Sequence, residues 1–353
     1  MPEVLVLDIG STTTRIAVFR GKKELFRETL EHESQRGSGI LEERTLRRQS
    51  IEDVLSSCEV SLERLDLFVS RGGLLRPVPS GMYRVNEAMC DDLLSGRFGE
   101  HASALGPLIA FELARKLGRD AIIVDPPSTD EFSDLARVSG LPDIPRTSAF
   151  HALNQKACAR RVCREMGRAY EDSCLIVAHM GGGTTVGAHL QGKVVDATHG
   201  LSEGPFTPER AGEMPTLQLI DYVLDRGLTQ EQARNLLVGG SGLFAHLGTR
   251  DAREVERRIT SGDEQARVIY RAMAYQVGKQ IGAMAAVLGK NPDSIVLTGG
   301  LAASEMFTTW ICEMVGFLGR VRIYPGENEL EALLEAALTA LEVPSKIREY
   351  PPE

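Results

Sequence analysis

Residues 4–19 read VLVLDIGSTTTRIAVF: two runs that read as strands, Val4–Leu7 and Arg15–Phe19, flank Gly10-Ser11-Thr12-Thr13-Thr14. A hairpin turn needs only about two residues, so five small or hydroxylated ones ask for a purpose. The same plan returns in CLIVAHMGGGTTVGAHLQGKVVDAT, residues 174–198: strand, Gly-Thr loop, strand, polar turn at Gly192, strand. The copies begin about 170 residues apart, a spacing that suits a duplicated domain and not a short solenoid repeat. Either loop alone reads equally well as a hydroxyl-rich hairpin turn. As a pair they gain meaning, because such loops gather backbone N–H groups and hydroxyls around one point and bind anions, phosphate above all. Two facing loops could clasp one triphosphate. A third glycine turn, VLTGGLA at Val296–Ala302, offers close backbone approach to a flat ring. The pattern GxxxxGK[ST] is absent, as is GxGxxG between a first strand and a helix, so a nucleotide would depend on the paired loops.

Composition narrows the class. A chain of 353 residues, 42% hydrophobic, has the length of two domains with a core each. Forty basic residues against 49 acidic ones leave a net charge of −9, which argues against a nucleic-acid partner. The longest apolar runs fall far short of the ~20 residues that span a bilayer, and no signal peptide opens the chain, so no membrane partner is expected. Cysteines 58, 90, 158, 163, 174 and 312 form no CxxC pair, which points to free thiols and a cytoplasmic location.

The remaining elements follow the same alternation. The spacing predicts a surface helix over Glu42–Ser61, a short buried strand in LDLFVSRGG, and a helix over 99–118 closed by Gly118. DAIIVDPPSTDEF is a β-branched strand stopped at Asp125-Pro126-Pro127, and Ser148 is read as the N-cap of a long helix in SAFHALNQKACARRVCREMG. Apolar and Ala/Leu/Glu-rich helices are predicted over 267–289 and 328–342.

DIGSTTTR, HMGGGTT and VLTGGLA, in this order, resemble the two phosphate motifs and the adenosine motif of the actin and hexokinase superfamily. SRGGLLRPVPSGMYRV, GEHASALG, FHALNQKACARRV and EGPFTPERAG narrow this to the butyrate kinase branch of the acetate kinase family. The resemblance runs nearly end to end. It departs at the first loop, where the branch has Asn and Lys and this chain has Asp8 and Arg15.

The resemblance implies a fold: α/β, a duplicated actin/ribonuclease H-like two-domain arrangement. Residues 1–146 plus 328–353 would form the N-terminal domain. Residues 147–327 would form a C-terminal domain carrying most adenosine contacts, with the substrates meeting in the cleft between. It also implies an activity, the transfer of phosphate from ATP to a short-chain carboxylate, reversibly, giving ADP and an acyl phosphate. The implied partners are that acid or its acyl phosphate, Mg²⁺, and further copies of the chain in a dimer or larger homo-oligomer.

An attacking carboxylate is already ionised at pH 7, so catalysis needs positioning and positive charge more than a strong base. Arg71 in SRGG and Arg210 in TPERAG lie in glycine- or proline-flanked loops, and a planar guanidinium can grip two oxygens at once. The resemblance gives both arginines, His179, His101 and Asp125 catalytic roles. It assigns nucleotide contacts to Gly10, Ser11, Thr12 and Arg15, to Gly181, Gly182, Gly183 and Thr184, and to Gly299 and Gly300. It links Mg²⁺ to Asp8 and Glu329. His151, His189, His199 and His246 lack comparable context and are not counted. The SGMYRV and PSTDEF loops are read as the acyl pocket. Two rivals stay open: a sugar or polyol kinase, which needs a basic aspartate, and an ATPase switch of the iron–sulfur type, for which the paired cysteines are missing.

Overall fold

The structure, a computed structural model, describes residues 1–10, 13–32, 40–58, 60–326 and 329–351. In chain order the first segment forms β1 (Glu3–Ile9), β2 (Thr13–Arg20), β3 (Lys23–Glu31), α1 (Ile40–Ser57), β4 (Leu67–Arg71), β5 (Met82–Arg84), α2 (Glu87–Ser95), α3 (Leu105–Lys116) and β6 (Asp120–Val124). The middle segment forms α4 (Ala152–Glu165), β7 (Cys174–Met180), β8 (Thr184–Leu190), β9 (Lys193–Ala197), four short helices α5 (Thr216–Asp225), α6 (Gln230–Gly239), α7 (Gly242–Leu247) and α8 (Ala252–Thr260), then α9 (Glu264–Leu288), β10 (Ser294–Gly299), α10 (Glu305–Val315) and β11 (Val321–Pro325). The chain closes with α11 (Glu329–Glu342) and β12 (Ile347–Glu349).

These elements divide into two units, 1–130 with 328–353 and 131–327. Residues 131–146 thus group with the second unit. Arg146 explains this: its guanidinium donates to Asp196 and Glu203 and to the carbonyls of Ala136 and Ala197. Glu131 adds a buried ion pair with Lys156, 2.6 Å apart.

The first unit holds a seven-stranded sheet in the order β12-β5-β6-β4-β1-β2-β3. Strand β1 runs parallel to β4 and antiparallel to β2, and all seven of its residues are buried. A strand covered on both faces reads as a continuous apolar run, as VLVLDI does. Leu5, Leu7 and Ile9 pack with Ile51 and Leu55 of α1 and with Leu105, Leu108 and Ile109 of α3. Helix α11 also packs on β1 and β4. Tyr350 joins this core, and its hydroxyl donates to Asp92, which also accepts from Arg76 and Arg97.

The Asp92 cluster sets an acid limit on stability. Burial raises the Asp92 carboxyl, but the hydrogen bonds from Arg97, Tyr350 and Arg76 outweigh it and hold it below the usual carboxylate range. A depressed folded pKa stabilises above the unfolded value, about 3.9, and the contribution is lost as pH falls through the folded one. Asp92→Asn should therefore lower the urea midpoint at pH 7 and shrink the difference between pH 7 and pH 3. Equal midpoint losses at both pH values would contradict this.

The second unit repeats the plan with five strands, β11-β10-β7-β8-β9. Strand β7 takes the place of β1, antiparallel to β8 and parallel to β10. On one face Cys158, Ala159 and Val162 of α4 meet Leu175, Val177 and Val296. On the other, Tyr270 and Met273 of α9 and Phe307 of α10 cover Ile176, Ala178 and Ile295. Full burial of each Val, Leu, Ile, Met or Phe among them is worth about 1.5–3 kcal/mol. Asp263 caps α9 at its start, accepting from the Ala266 N–H, and Gly289 closes it in the left-handed region.

The α/β, duplicated two-domain reading is therefore what the chain adopts. Local expectations shift in places. The first surface helix ends at Ser57, not Ser61. The 99–118 helix begins with a 3₁₀ turn at Ala102–Ala104, and α3 starts at Leu105. Ser148 is not the N-cap of α4, which starts at Ala152 with His151 at the cap position. The Ala149 carbonyl accepts from the Gly200 N–H, so residues before 152 are held by the loop opposite instead of winding into the helix. Helices α2 and α5–α8 and strands β3, β5, β11 and β12 escape the sequence reading.

Candidate active site

In the first unit, Asp8 lies one residue before the end of β1, opposite Arg15 of β2. Arg15 Nη1 donates to Asp8 Oδ2 at 3.1 Å. Asp8 Oδ1 is buried and accepts no hydrogen bond among the described residues. Arg71 ends β4, and its Nη1 lies 3.7 Å from Asp8 Oδ1 and 3.5 Å from Glu329 Oε2. One guanidinium nitrogen thus bridges two carboxylates that are 3% and 2% exposed. Gly10, whose N–H donates to the Thr13 carbonyl, opens the loop. Ser11 and Thr12 lie outside the described residues.

Asp125 follows β6 with φ +38°, a left-handed value for a non-glycine residue before a proline. Its Oδ1 accepts from Ser80 Oγ at 2.6 Å and from the Gly81 N–H at 2.9 Å, and its own N–H donates to the Gly81 carbonyl. The pair of residues 80–81 therefore clamps both the carboxylate and the strained backbone of Asp125. Gly72 makes room, since a Cβ there would come 2.6 Å from Pro126 Cβ. His101 has a capping contact: its Nδ1 accepts from the Ser103 N–H, at the entry to α3.

In the second unit, the Gly181 N–H donates to the Gly183 carbonyl, closing the loop between β7 and Thr184, the first residue of β8. Arg210 lies against this loop: a Cβ on Gly183 would overlap its guanidinium, and its Nη1 donates to the Gly200 carbonyl at 2.7 Å. Thr207 ties the two together, accepting from the Arg210 N–H and donating to the Gly182 carbonyl. His179, at the end of β7, hydrogen-bonds through Nδ1 to Asn154 Oδ1 at 2.9 Å. His151 stacks on it, ring centroids 3.9 Å apart and planes 12° apart, with its edge against Gly183. Gly299 has φ +88° and packs so tightly on the Met180 backbone that no side chain fits; Gly300 beside it is exposed.

Glycine amides, an anchored arginine and stacked imidazoles are groups whose chemistry suits oxyanions. The acetokinase family profile matches residues 144–339, more than half of the sequence. The chain belongs to the acetokinase family. It is a phosphotransferase acting on a carboxylate, and the family uses ATP. Its fold is that of crystal structures of Porphyromonas gingivalis acetate kinase (19% identity, TM-score 0.79, 97% of this chain and 100% of that one), and of a propionate kinase from Francisella tularensis (18%, 0.78, 95% and 99%). Entamoeba histolytica acetate kinase is similar too (15%, 0.77, 96% and 100%).

Placed so, the sequence-derived candidates separate into groups. Asp8, Arg15, Arg71 and Glu329 converge, as do Gly181–Gly183, Arg210 and His179. Two residues were missed. His151 precedes a helix and looked isolated in sequence; only the fold stacks it on His179. Arg47, on a charged helix face, is 2% exposed and donates to the Thr13 carbonyl and the Thr14 hydroxyl, bracing the first loop. The run ALNQ after His151 was the available signal, since Asn and Gln on an otherwise buried helix face demand partners.

Among the described residues no three His, Cys, Asp or Glu side chains cluster as a closed metal cage. The donor set of Asp8 and Glu329 still fits Mg²⁺, which keeps waters and takes one or two carboxylates together with substrate phosphates. An orphaned buried oxygen on Asp8 is the observation behind that fit.

Proposed function

We propose that the chain catalyses the ATP-dependent phosphorylation of a short-chain fatty acid, with butyrate preferred: butanoate + ATP = butanoyl phosphate + ADP, reversibly. A carboxylate oxygen forms the new bond to phosphorus while the bond to the ADP oxygen breaks. The carrying observation is the arginine anchored against the Gly181–Gly183 loop beside two stacked histidines. In this reading the loop amides hold phosphate oxygens, and Arg210, with His179 and His151, meets charge on the transferring group. Arg71 and Asp125 position the acid, and Asp8 and Glu329 hold Mg²⁺. When bound, that ion adds positive charge at the phosphoryl oxygens.

Butyrate rests on the resemblance of SRGGLLRPVPSGMYRV and EGPFTPERAG to the butyrate kinase branch. Each methylene discriminates by only about 10–200-fold, so acetate, propionate, isobutyrate and valerate belong in the test. Hydroxylamine trapping with ATP, Mg²⁺ and this ladder of acids should give a product peaking at four carbons and lost in Asp125→Asn. ATP turnover with no trapped product on any acid would sink the proposal; a peak at two or three carbons would sink butyrate alone. The reading also takes the working form to be a cytoplasmic homo-oligomer, supported by the free cysteines and by Leu217, Ile220 and Leu224, which α5 exposes.

A further inference from the structure

Behind the stacked histidines, a chain of buried polar groups runs from Tyr170 to His151. The Tyr170 hydroxyl meets His189 Nδ1 at 2.8 Å, and His189 Nε2 meets Gln155 Oε1 at 3.0 Å. Gln155 Nε2 donates to the Thr185 carbonyl at 3.1 Å and to Thr185 Oγ1 at 2.9 Å. Thr185 Oγ1 stands 2.8 Å from His151 Nδ1 and also accepts from the His151 N–H at 3.4 Å. Gln155, Thr185 and His189 are fully buried.

The hydrogen directions follow from the Thr185 carbonyl and from the two donors that Thr185 Oγ1 receives. The Thr185 C=O can only accept, so the Gln155 amide must turn its NH₂ that way and leave Oε1 for His189. His189 then carries its proton on Nε2, and its bare Nδ1 accepts from Tyr170. Burial holds the His189 imidazole well below the usual histidine range, with Lys156 and Arg160 pushing the same way, so it stays neutral. Thr185 Oγ1 already receives two donors, so its single hydrogen goes to His151 Nδ1. Gly187 makes the arrangement possible, because a Cβ there would overlap Gln155 Oε1.

We propose that Thr185, Gln155, His189 and Tyr170 are positioning residues that lock His151 as the neutral Nε2–H tautomer, so that it offers a fixed hydrogen-bond donor. The purpose given to that donor rests on the carboxylate kinase reading; the tautomer does not. A fixed neutral donor needs no proton uptake and can sit stacked on a second imidazole without like-charge repulsion.

The test is long-range ¹H–¹⁵N correlation of the histidine side chains in the wild-type protein, with His151 assigned by its loss in His151→Gln. A bare Nδ1 and protonated Nε2 on His151 are expected; a protonated Nδ1 overturns the proposal whether or not the enzyme is a kinase. Thr185→Val should turn the His151 signal into a tautomer mixture and lower kcat by roughly 10–100-fold, the range for groups that orient another ligand. The KM for ATP should stay close to wild type. Thr185→Ser should restore both the signal and most of kcat. If Thr185→Val folds and leaves tautomer and kcat unchanged, the chain of hydrogen bonds positions nothing. If it does not fold, the wild-type spectrum alone decides.

Discussion

Arg210→Ala is expected to lower kcat/KM for acyl-phosphate formation by about 10³-fold, the scale on which a transition-state arginine acts in phosphoryl transfer. Three tethers hold the residue: its Nη1 to the Gly200 carbonyl, its N–H to Thr207, and the Thr207 hydroxyl to the Gly182 carbonyl. This fixes a cation beside the loop amides before any substrate arrives, so little reorganisation is left for the reaction itself. Arg210→Lys keeps the charge but loses the planar fork, and should recover only part of the rate. Arg253→Ala provides the control, since Arg253 is exposed and pairs only locally with Asp251. Trapped-product kinetics with a melting curve for each variant make the measurement. A loss of less than tenfold in a folded Arg210→Ala would remove Arg210 from the chemistry.

The second large effect is on stability. Gly242 has φ +65°, and a Cβ there would overlap the Thr207 carbonyl. That carbonyl accepts from the Leu243 N–H, so the first turn of α7 grips the loop that ends in Arg210. Gly242→Ala adds a left-handed backbone penalty and a clash with backbone that cannot swing aside. A cost of about 3 kcal/mol or more is expected, at the upper end for single substitutions. In a domain of this size that lowers Tm by roughly 6–12 °C. The variant should also lose kcat, since the clash displaces the Thr207–Arg210 loop. Calorimetry showing an unchanged Tm would mean that the close approach at Gly242 is not maintained.

The sequence was informative where chemistry and periodicity coincide. VLVLDI and CLIVAHM announce strands buried on both faces, and the glycines after them announce the loops, because neither pattern has another economical use in a folded chain. Asp125 stood out for the same reason, as a carboxylate stopped by two prolines. His151 did not. Its stacking partner lies 28 residues away on β7, and the polar pair in ALNQ is the one local mark beside it. Arg47 read as one more solvated helix charge, because burial of a guanidinium is decided by what the first loop presents to it. Helices α5 and α6 bury no side chain, and the apolar stripe of Leu217, Ile220 and Leu224 on α5 faces away from the core of its unit.

The return of the chain at α11 bears on how the protein assembles during synthesis. The first unit lacks Leu330, Leu333 and Ala337, and the edge strand β12 that pairs with β5, until residues beyond the whole second unit have been made. The second unit is contiguous and complete before them. Its folding needs no segment from beyond itself, while the amino-terminal sheet waits, one helix short, for contacts of very high sequence separation that form slowly. The vulnerable nascent species is then the early-made half of the chain, whose β1 and β4 expose apolar surface until α11 covers them.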